Sequence, residues 1–130
     1  MQNQVALRFT TVFGEGARDT MLIGRLISGT VKYLTRHIRD FVHVSDVVDA
    51  IVLLMMSDIR LLKPAYDIGT GVGNSVEELG YIAGWEGIEV TDGDACEAQD
   101  NTADITAISE LGWVPKVKVD EYLVKHTVPH

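Results

Sequence analysis

The chain has 130 residues, enough for one domain that buries roughly two-thirds of its unfolded surface, and its 46% hydrophobic content can fill a core. A formal net charge of −8 repels a phosphate backbone and argues against nucleic acid as the main partner. The longest apolar run, Ala50 to Met56, is far short of the roughly 20 residues that a membrane span needs, so no membrane association is expected.

The lone cysteine, Cys96, cannot form an internal disulfide and fits a reducing, cytoplasmic setting. Met1-Gln2-Asn3-Gln4 shows no basic stretch leading into an apolar one, so no export signal is expected. Charge is unevenly spread: Arg18, Arg25, Lys32, Arg36, Arg39, Arg60 and Lys63 lie in the first half, and acids crowd Glu86 to Asp104. That pattern fits a local anion site or ordinary surface charge equally well.

Along the chain, Val5, Leu7 and Phe9 alternate with polar residues and predict a strand that stops at Gly14-Glu15-Gly16. Met21 to Ser28 reads as a short helix closed by Gly29. Val31 to Leu34 and Phe41 to Val44 are strand-like and flank the basic stretch Arg36 to Asp40. Ser45 is the expected cap of the next helix, with Asp46 and Asp49 in its first turn and Val47, Ile51, Leu54 and Met55 as its inward stripe. Ala65 to Ile68 predicts a strand entering the glycine-rich Gly69 to Gly73. Ser75 and Glu78 have capping-box spacing ahead of a helix with Leu79 and Ile82 inward and Gly84 as its stop. Ile88 to Thr91 predicts another short strand. Asp104 caps a helix with Ile105, Ile108 and Leu111 inward and Gly112 at its end, and Asp120 to Lys125 adds a final turn or two. Strands and helices alternate, so the class is α/β built from small elements.

The glycine loop invites comparison with a dinucleotide fingerprint, because Gly69, Gly71 and Gly73 follow a strand and precede a helix. The third fingerprint glycine would fall at position 74, which is Asn, and the helix after it is short. A tight turn is the better reading, although the amides before Ser75 could in principle receive a pyrophosphate. His37, His43, His126 and His130 lack ligand spacing, and no Gly-x-Ser-x-Gly elbow occurs, so no catalytic constellation and no metal site emerge. Arg36 and Arg39 would suit a diphosphate through planar bidentate donors. Taken alone, however, Arg39 and Asp40 read more simply as members of surface ion pairs.

Four segments in order resemble the C-terminal half of the NAD-dependent epimerase/dehydratase family, the extended short-chain dehydrogenases/reductases. They are Leu7-Arg8-Phe9-Thr10-Thr11-Val12-Phe13-Gly14; Arg39-Asp40-Phe41-Val42-His43-Val44-Ser45-Asp46; Ala65-Tyr66-Asp67-Ile68-Gly69-Thr70-Gly71 with Ser75-Val76; and Thr102-Ala103-Asp104-Ile105 with Leu111-Gly112-Trp113-Val114-Pro115. The resemblance implies a small α/β substrate-binding subdomain spanning residues 1–130, with short strands and helices and no Rossmann half. It implies a nucleoside-diphosphate sugar as ligand, with Arg39 on the diphosphate and the Thr11 to Gly16 loop, Phe13 included, lining the sugar and nucleotide pocket. The family's NAD loop and Tyr-x-x-x-Lys pair are missing: the residues four after Tyr33, Tyr66, Tyr81 and Tyr122 are His37, Thr70, Trp85 and His126. NAD is therefore implied for the full-length family enzyme and not for this chain, which would be catalytically inactive alone, as a fragment of such an enzyme or, in a variant of that reading, with a separately encoded Rossmann half as partner.

Thr11 to Phe13, Arg18 and Met21 further resemble UDP-glucuronate 4-epimerases, in which the matching Thr and Arg hold the uronate carboxylate. The sequence departs from the family at Glu15, where Pro is usual, and at Asp67, where Asn is usual. The stretch Asp92 to Asp100 also lacks a phosphate-binding Arg found in relatives. The alternatives are a stand-alone nucleotide-sugar-binding module and a protein-interaction domain without ligand or catalysis.

Overall fold

The computed structural model describes residues 4–16, 21–85, 88–92 and 99–127. Strand β1 (Ala6–Phe9) pairs in parallel with β6 (Ala65–Ile68), and β2 (Thr11–Phe13) pairs in parallel with β5 (Phe41–His43). A third parallel ladder joins β3 (Tyr33–Thr35) to β8 (Glu89–Thr91), and β4 (Ile38–Arg39) runs antiparallel to β7 (Asn74–Ser75). The helices are α1 (Leu22–Ser28), α2 (Val44–Met55), α3 (Val76–Ile82), α4 (Thr106–Ser109) and α5 (Val119–His126), with one 3₁₀ turn at Ile59–Leu61. The α/β class with short elements is what the alternating pattern predicts.

The β2–β5 ladder divides the interior. Successive side chains point to opposite faces of a strand. On one face Phe13 and Phe41 join Leu26, Leu34, Leu79 and Leu123, contributed by β3 and by α1, α3 and α5. On the other, Val12 and Val42 meet Val47, Ala50 and Leu54 of α2 with Tyr66, Ile68, Ile108 and Trp113. Each fully buried Leu, Ile or Phe contributes about 1.5–3 kcal/mol by leaving water. Two modest cores on either side of one ladder thus replace the single large core that a wider sheet would build.

Helix ends follow local chemistry. Gly29, with φ +84°, closes α1 by donating its amide to the Arg25 carbonyl at 2.9 Å. Ser75 caps α3 by accepting the Glu78 amide, and Gly84 with φ +90° ends that region. The α2 cap differs from the Ser45 expected. The helix starts two residues earlier, and His43 Nδ1 accepts the Ser45 amide at 3.1 Å. Asp104, the expected cap of α4, sits one place ahead of the observed cap position at Ile105 and accepts the amide and hydroxyl of Thr106.

The inward stripe of α2 is Val47, Ala50 and Leu54, not the expected set with Met55, which is 79% exposed. Ile82 also faces outward, leaving Val76, Leu79 and Ala83 to seal α3. Both misassignments come from apolar residues on more than one face of a helix, where periodicity alone cannot choose.

Asp46 and Asp49 do not act as a paired first-turn charge. Asp49 is exposed in the second turn, whereas Asp46 is buried and ties α2 to the C-terminal segment. Its two carboxylate oxygens accept the amides of Lys116 and Val117 at 3.0 Å each, and its carbonyl accepts Trp113 Nε1 at 3.0 Å. Removing an acceptor from buried donors costs about 1–3 kcal/mol per donor. Asp46→Ala is expected to lower stability by about 2–4 kcal/mol in urea unfolding. Asp46→Asn, which keeps one acceptor, should lose less. Equal losses for the two variants would remove the two-amide clamp as the explanation.

Candidate functional site

The geometry at the expected ligand side begins with Asp40, 0% exposed and positioned between β4 and β5. Its Oδ1 accepts the Thr70 amide at 2.8 Å and the Thr70 hydroxyl at 2.7 Å. Its Oδ2 accepts the Gly71 amide at 2.8 Å and the Ala103 amide at 3.2 Å. The backbone amide of Asp40 donates to Asn101 Oδ1 at 2.8 Å. The surface ion pair expected for Asp40 is therefore replaced by a buried carboxylate filled by neutral donors.

This arrangement accounts for the glycine loop. A Cβ at Gly69 would lie 2.7 Å from Asp40 Oδ2, 2.8 Å from Thr10 Oγ1 and 2.9 Å from Ala103 Cβ. Glycine is required there by close approach. The Thr70 and Gly71 amides already serve Asp40, and the Val76 amide donates to the His37 carbonyl at 3.1 Å. The loop is thus a structural turn around a carboxylate, as the tight-turn reading has it.

Of the expected ligand residues, the structure places Thr11 and Phe13 on one face of β2, where they line a cleft of about 60 Å³ with Phe41 and Tyr122. Thr11 donates its amide to the Asp40 carbonyl at 3.0 Å, one residue along from Arg39. Phe13 is 3% exposed: it is a core residue first, packed edge-on against His43 and Tyr122 at centroid distances of 5.2 and 5.0 Å. The same residue lines the cleft beside Thr11. Arg39 is half-buried on β4, opposite Asn74, with Nη1 donating to the Ile38 carbonyl at 2.9 Å. Asn74 lines a separate cleft of about 300 Å³ with Phe41, Thr70, Val117 and Lys118. Arg36 pairs with Asp92 at 2.7 Å. Arg18 and Cys96 lie outside the described residues.

A group that sequence reasoning missed gathers below the Gly14 to Gly16 loop. Glu15 Oε2 meets His43 Nε2 at 3.2 Å and Oε1 faces His126 Nε2 at 3.6 Å. Tyr122 stacks on His126 at 4.0 Å. The Glu15 carboxyl is held below its ordinary value by its own backbone amide, then by His43 and His126. Burial and the neighbouring Glu15 push the Tyr122 phenol upward. The signal available in the sequence was Glu15 itself, at a position where the resembled family has Pro.

Among the described residues, no three or more His, Cys, Asp or Glu side chains are grouped to hold a metal, and no helix is long and apolar enough to cross a membrane.

Fold and site together define an α/β segment built around an Arg-Asp-aromatic block whose Asp40 and Phe41 are buried. Residues 2–69 of the chain match the model of the NAD dependent epimerase/dehydratase family, and the chain belongs to that family. Among solved structures it is similar to MoeE5 in complex with UDP-glucuronic acid and NAD, at 31% identity and a TM-score of 0.80 over 94% of this chain and 44% of that one. It also matches the Thermotoga maritima UDP-glucose 4-epimerase with UDP-glucose, at 26% identity and a TM-score of 0.72 over 92% of this chain and 43% of that one. The Bacillus cereus UDP-glucuronic acid 4-epimerase shares the fold at 24% identity, with a TM-score of 0.76 over 94% and 43%. The chain spans less than half the length of each. A sequence comparison with curated proteins finds no match.

Four exposed carboxylates sit below their ordinary values of 4.5 for Glu and 3.8 for Asp. Arg60 holds down Asp58, the Thr102 hydroxyl holds down Asp100, the Thr106 hydroxyl holds down Asp104, and Glu15 is as described. A depressed folded pKa adds stability above the unfolded value and loses it as pH falls through the folded one. The urea midpoint is expected to hold from pH 7 to about 5 and to decline below about 4.5. A midpoint rising on acidification would contradict this.

Proposed function

We propose that this chain is the sugar-nucleotide-binding, C-terminal part of a nucleoside-diphosphate-sugar epimerase or dehydratase, which works together with a Rossmann half that carries NAD. The observation that carries the reading is the match of nearly the whole chain to less than half of MoeE5 at 31% identity. The glycine loop supports it, since amides that a dinucleotide would need are spent on Asp40. In this reading Arg39 contacts the diphosphate, Thr11 the sugar, and Arg18 with Thr11 a uronate carboxylate where the sugar has one. Hydride transfer belongs to the cofactor, so the chain alone binds without turning over.

The surface supports a missing partner. Val44, Val48, Val52 and Met56 recur every fourth residue along the outer side of α2 and are exposed, Met56 at 83%. A helix apolar on both sides is normally covered on both. Beside it, β1 pairs among the described residues with β6 alone, and an apolar groove of about 310 Å³ runs past Val5, Leu7, Ile51 and Met55. Parallel sheets are rarely left open in this way. An α/β partner adding a strand at β1 and packing over α2 satisfies both features.

One observation favours the second reading, a domain that has lost its ligand: Asp100 lies close enough to Arg39 for the two charges to interact, an acid beside the proposed phosphate contact.

Calorimetry with UDP-glucose, UDP-glucuronate and dTDP-glucose, with NAD as control, separates the readings. Binding to a sugar nucleotide, weakened about tenfold or more in Arg39→Ala, is the expected result. Asp100→Asn keeps an acceptor for Thr102 and removes the charge, so it should tighten binding about two- to fivefold at low salt, with the gain fading as salt rises. A loss confined to UDP-glucuronate in Arg18→Ala would assign the uronate contact. No heat with any nucleotide sugar favours the ligand-free reading.

A further inference from the structure

The group around Glu15 links three parts of the fold that are distant in sequence: the loop after β2, the junction of β5 with α2, and the end of α5. Its hydrogen-bond partners assign the protons. The Ser45 amide can only donate, so His43 Nδ1, which accepts it at 3.1 Å, carries no hydrogen. The Ser45 hydroxyl lies 2.8 Å from the same nitrogen. The proton of neutral His43 is therefore on Nε2, aimed at Glu15 Oε2. His126 is oriented the other way. Its Nδ1 lies 2.9 Å from the Tyr122 carbonyl, which can only accept, so Nδ1 carries the hydrogen. Its Nε2 lies 3.6 Å from Glu15 Oε1, an ion-pair distance and not a hydrogen bond.

The loop is seated to make this possible. Gly14 has φ +144°, and a Cβ there would lie 2.8 Å from Val44 Cγ1 and 3.1 Å from His43 Nε2. The backbone thus passes directly over the His43 ring, and the next residue delivers its carboxylate to the ring edge. His43 is nearly enclosed, with its side chain 10% exposed, while Glu15 is 66% exposed.

We propose that Glu15 is a positioning residue: gripped by His43 and His126, it clasps the Thr11 to Gly16 loop to α5 and so fixes the loop that borders the sugar end of the site. The ligand part of this rests on the proposed function; the clasp itself rests on geometry alone. Glu15 touches no reacting atom and acts through the placement of Thr11 and its neighbours. Tyr122, stacked on His126 and edge-on to Phe13, carries the connection into the core.

The test uses the 130-residue chain with Glu15→Ala and Glu15→Gln, read by imidazole nitrogen NMR, amide exchange across Tyr122 to Thr127, and calorimetry with UDP-glucose. The expected result has His43 as the Nε2–H tautomer in the wild type. Glu15→Ala should speed exchange at the end of α5 about fivefold, as befits a partly exposed tie, and weaken UDP-glucose by a similar factor. Glu15→Gln, which keeps an acceptor for His43 but no charge for His126, should recover part of each loss. A His43 Nδ1–H tautomer, or α5 exchange unchanged in Glu15→Ala, overturns the clasp. If the wild type binds none of UDP-glucose, UDP-glucuronate and dTDP-glucose, the proposed function fails, and tautomer and exchange still decide the clasp.

Discussion

The Asp40 carboxylate is the constraint on which the rest of the structure depends. A buried charge is tolerated when its oxygens are filled, and here four donors from two distant loops converge on it. That demand fixes several features at once. The loop after β6 must turn inward so that the Thr70 and Gly71 amides point at Asp40. Gly69 must lack a side chain to let the backbone approach. The segment entering α4 must pass close enough for Ala103 to donate. Because Asp40 joins β4 to β5, the same residue orients Arg39 on one side and Phe41 on the other. The resembled Arg-Asp-aromatic block is therefore first a packing device, and Arg39 is held in place by its neighbour's burial.

Asp46 repeats the logic at smaller scale. One carboxylate collects two consecutive amides from the Lys116–Val117 segment, and Trp113 donates to the backbone of the same residue. Together the two aspartates staple the C-terminal third of the chain onto the β4–β5–α2 region. Short ladders of two to four residues contribute little pairing on their own. Networks of this kind supply the long-range specification that a wide sheet would otherwise provide.

Much of the element order was legible in the sequence because local signals agree with the fold. Gly29, the Ser75 cap, Gly84 and Gly112 act where the pattern places them, and the Ala65–Ile68 strand keeps its bounds. The illegible parts share a physical cause. Asp46 reads as a helix-dipole partner because sequence shows the first turn and not the Lys116 and Val117 amides some seventy residues away. Met55 reads as core because α2 has apolar residues on more than one face, and only tertiary placement selects Val47, Ala50 and Leu54. Glu15, His43 and His126 are isolated polar residues in the sequence; a turn at Gly14 and the docking of α5 bring them together.

The same contrast bears on how the site is balanced electrically. In a chain of net charge −8, an anion approaching Arg39 meets long-range repulsion before any contact forms. Asp100, fixed by the Thr102 amide and hydroxyl, adds a negative charge close by. Affinity for a diphosphate must then come from short-range, directed donors, whose worth depends on how rigidly they are held. Asp40 immobilises the strand that bears Arg39, and the Glu15 contacts immobilise the loop that follows Thr11. Both acidic groups are spent on backbone amides or imidazoles, so their charge is partly answered within the fold. Under the proposed function, an acidic domain presents an anion site because Asp40 and Glu15 are committed to holding its frame.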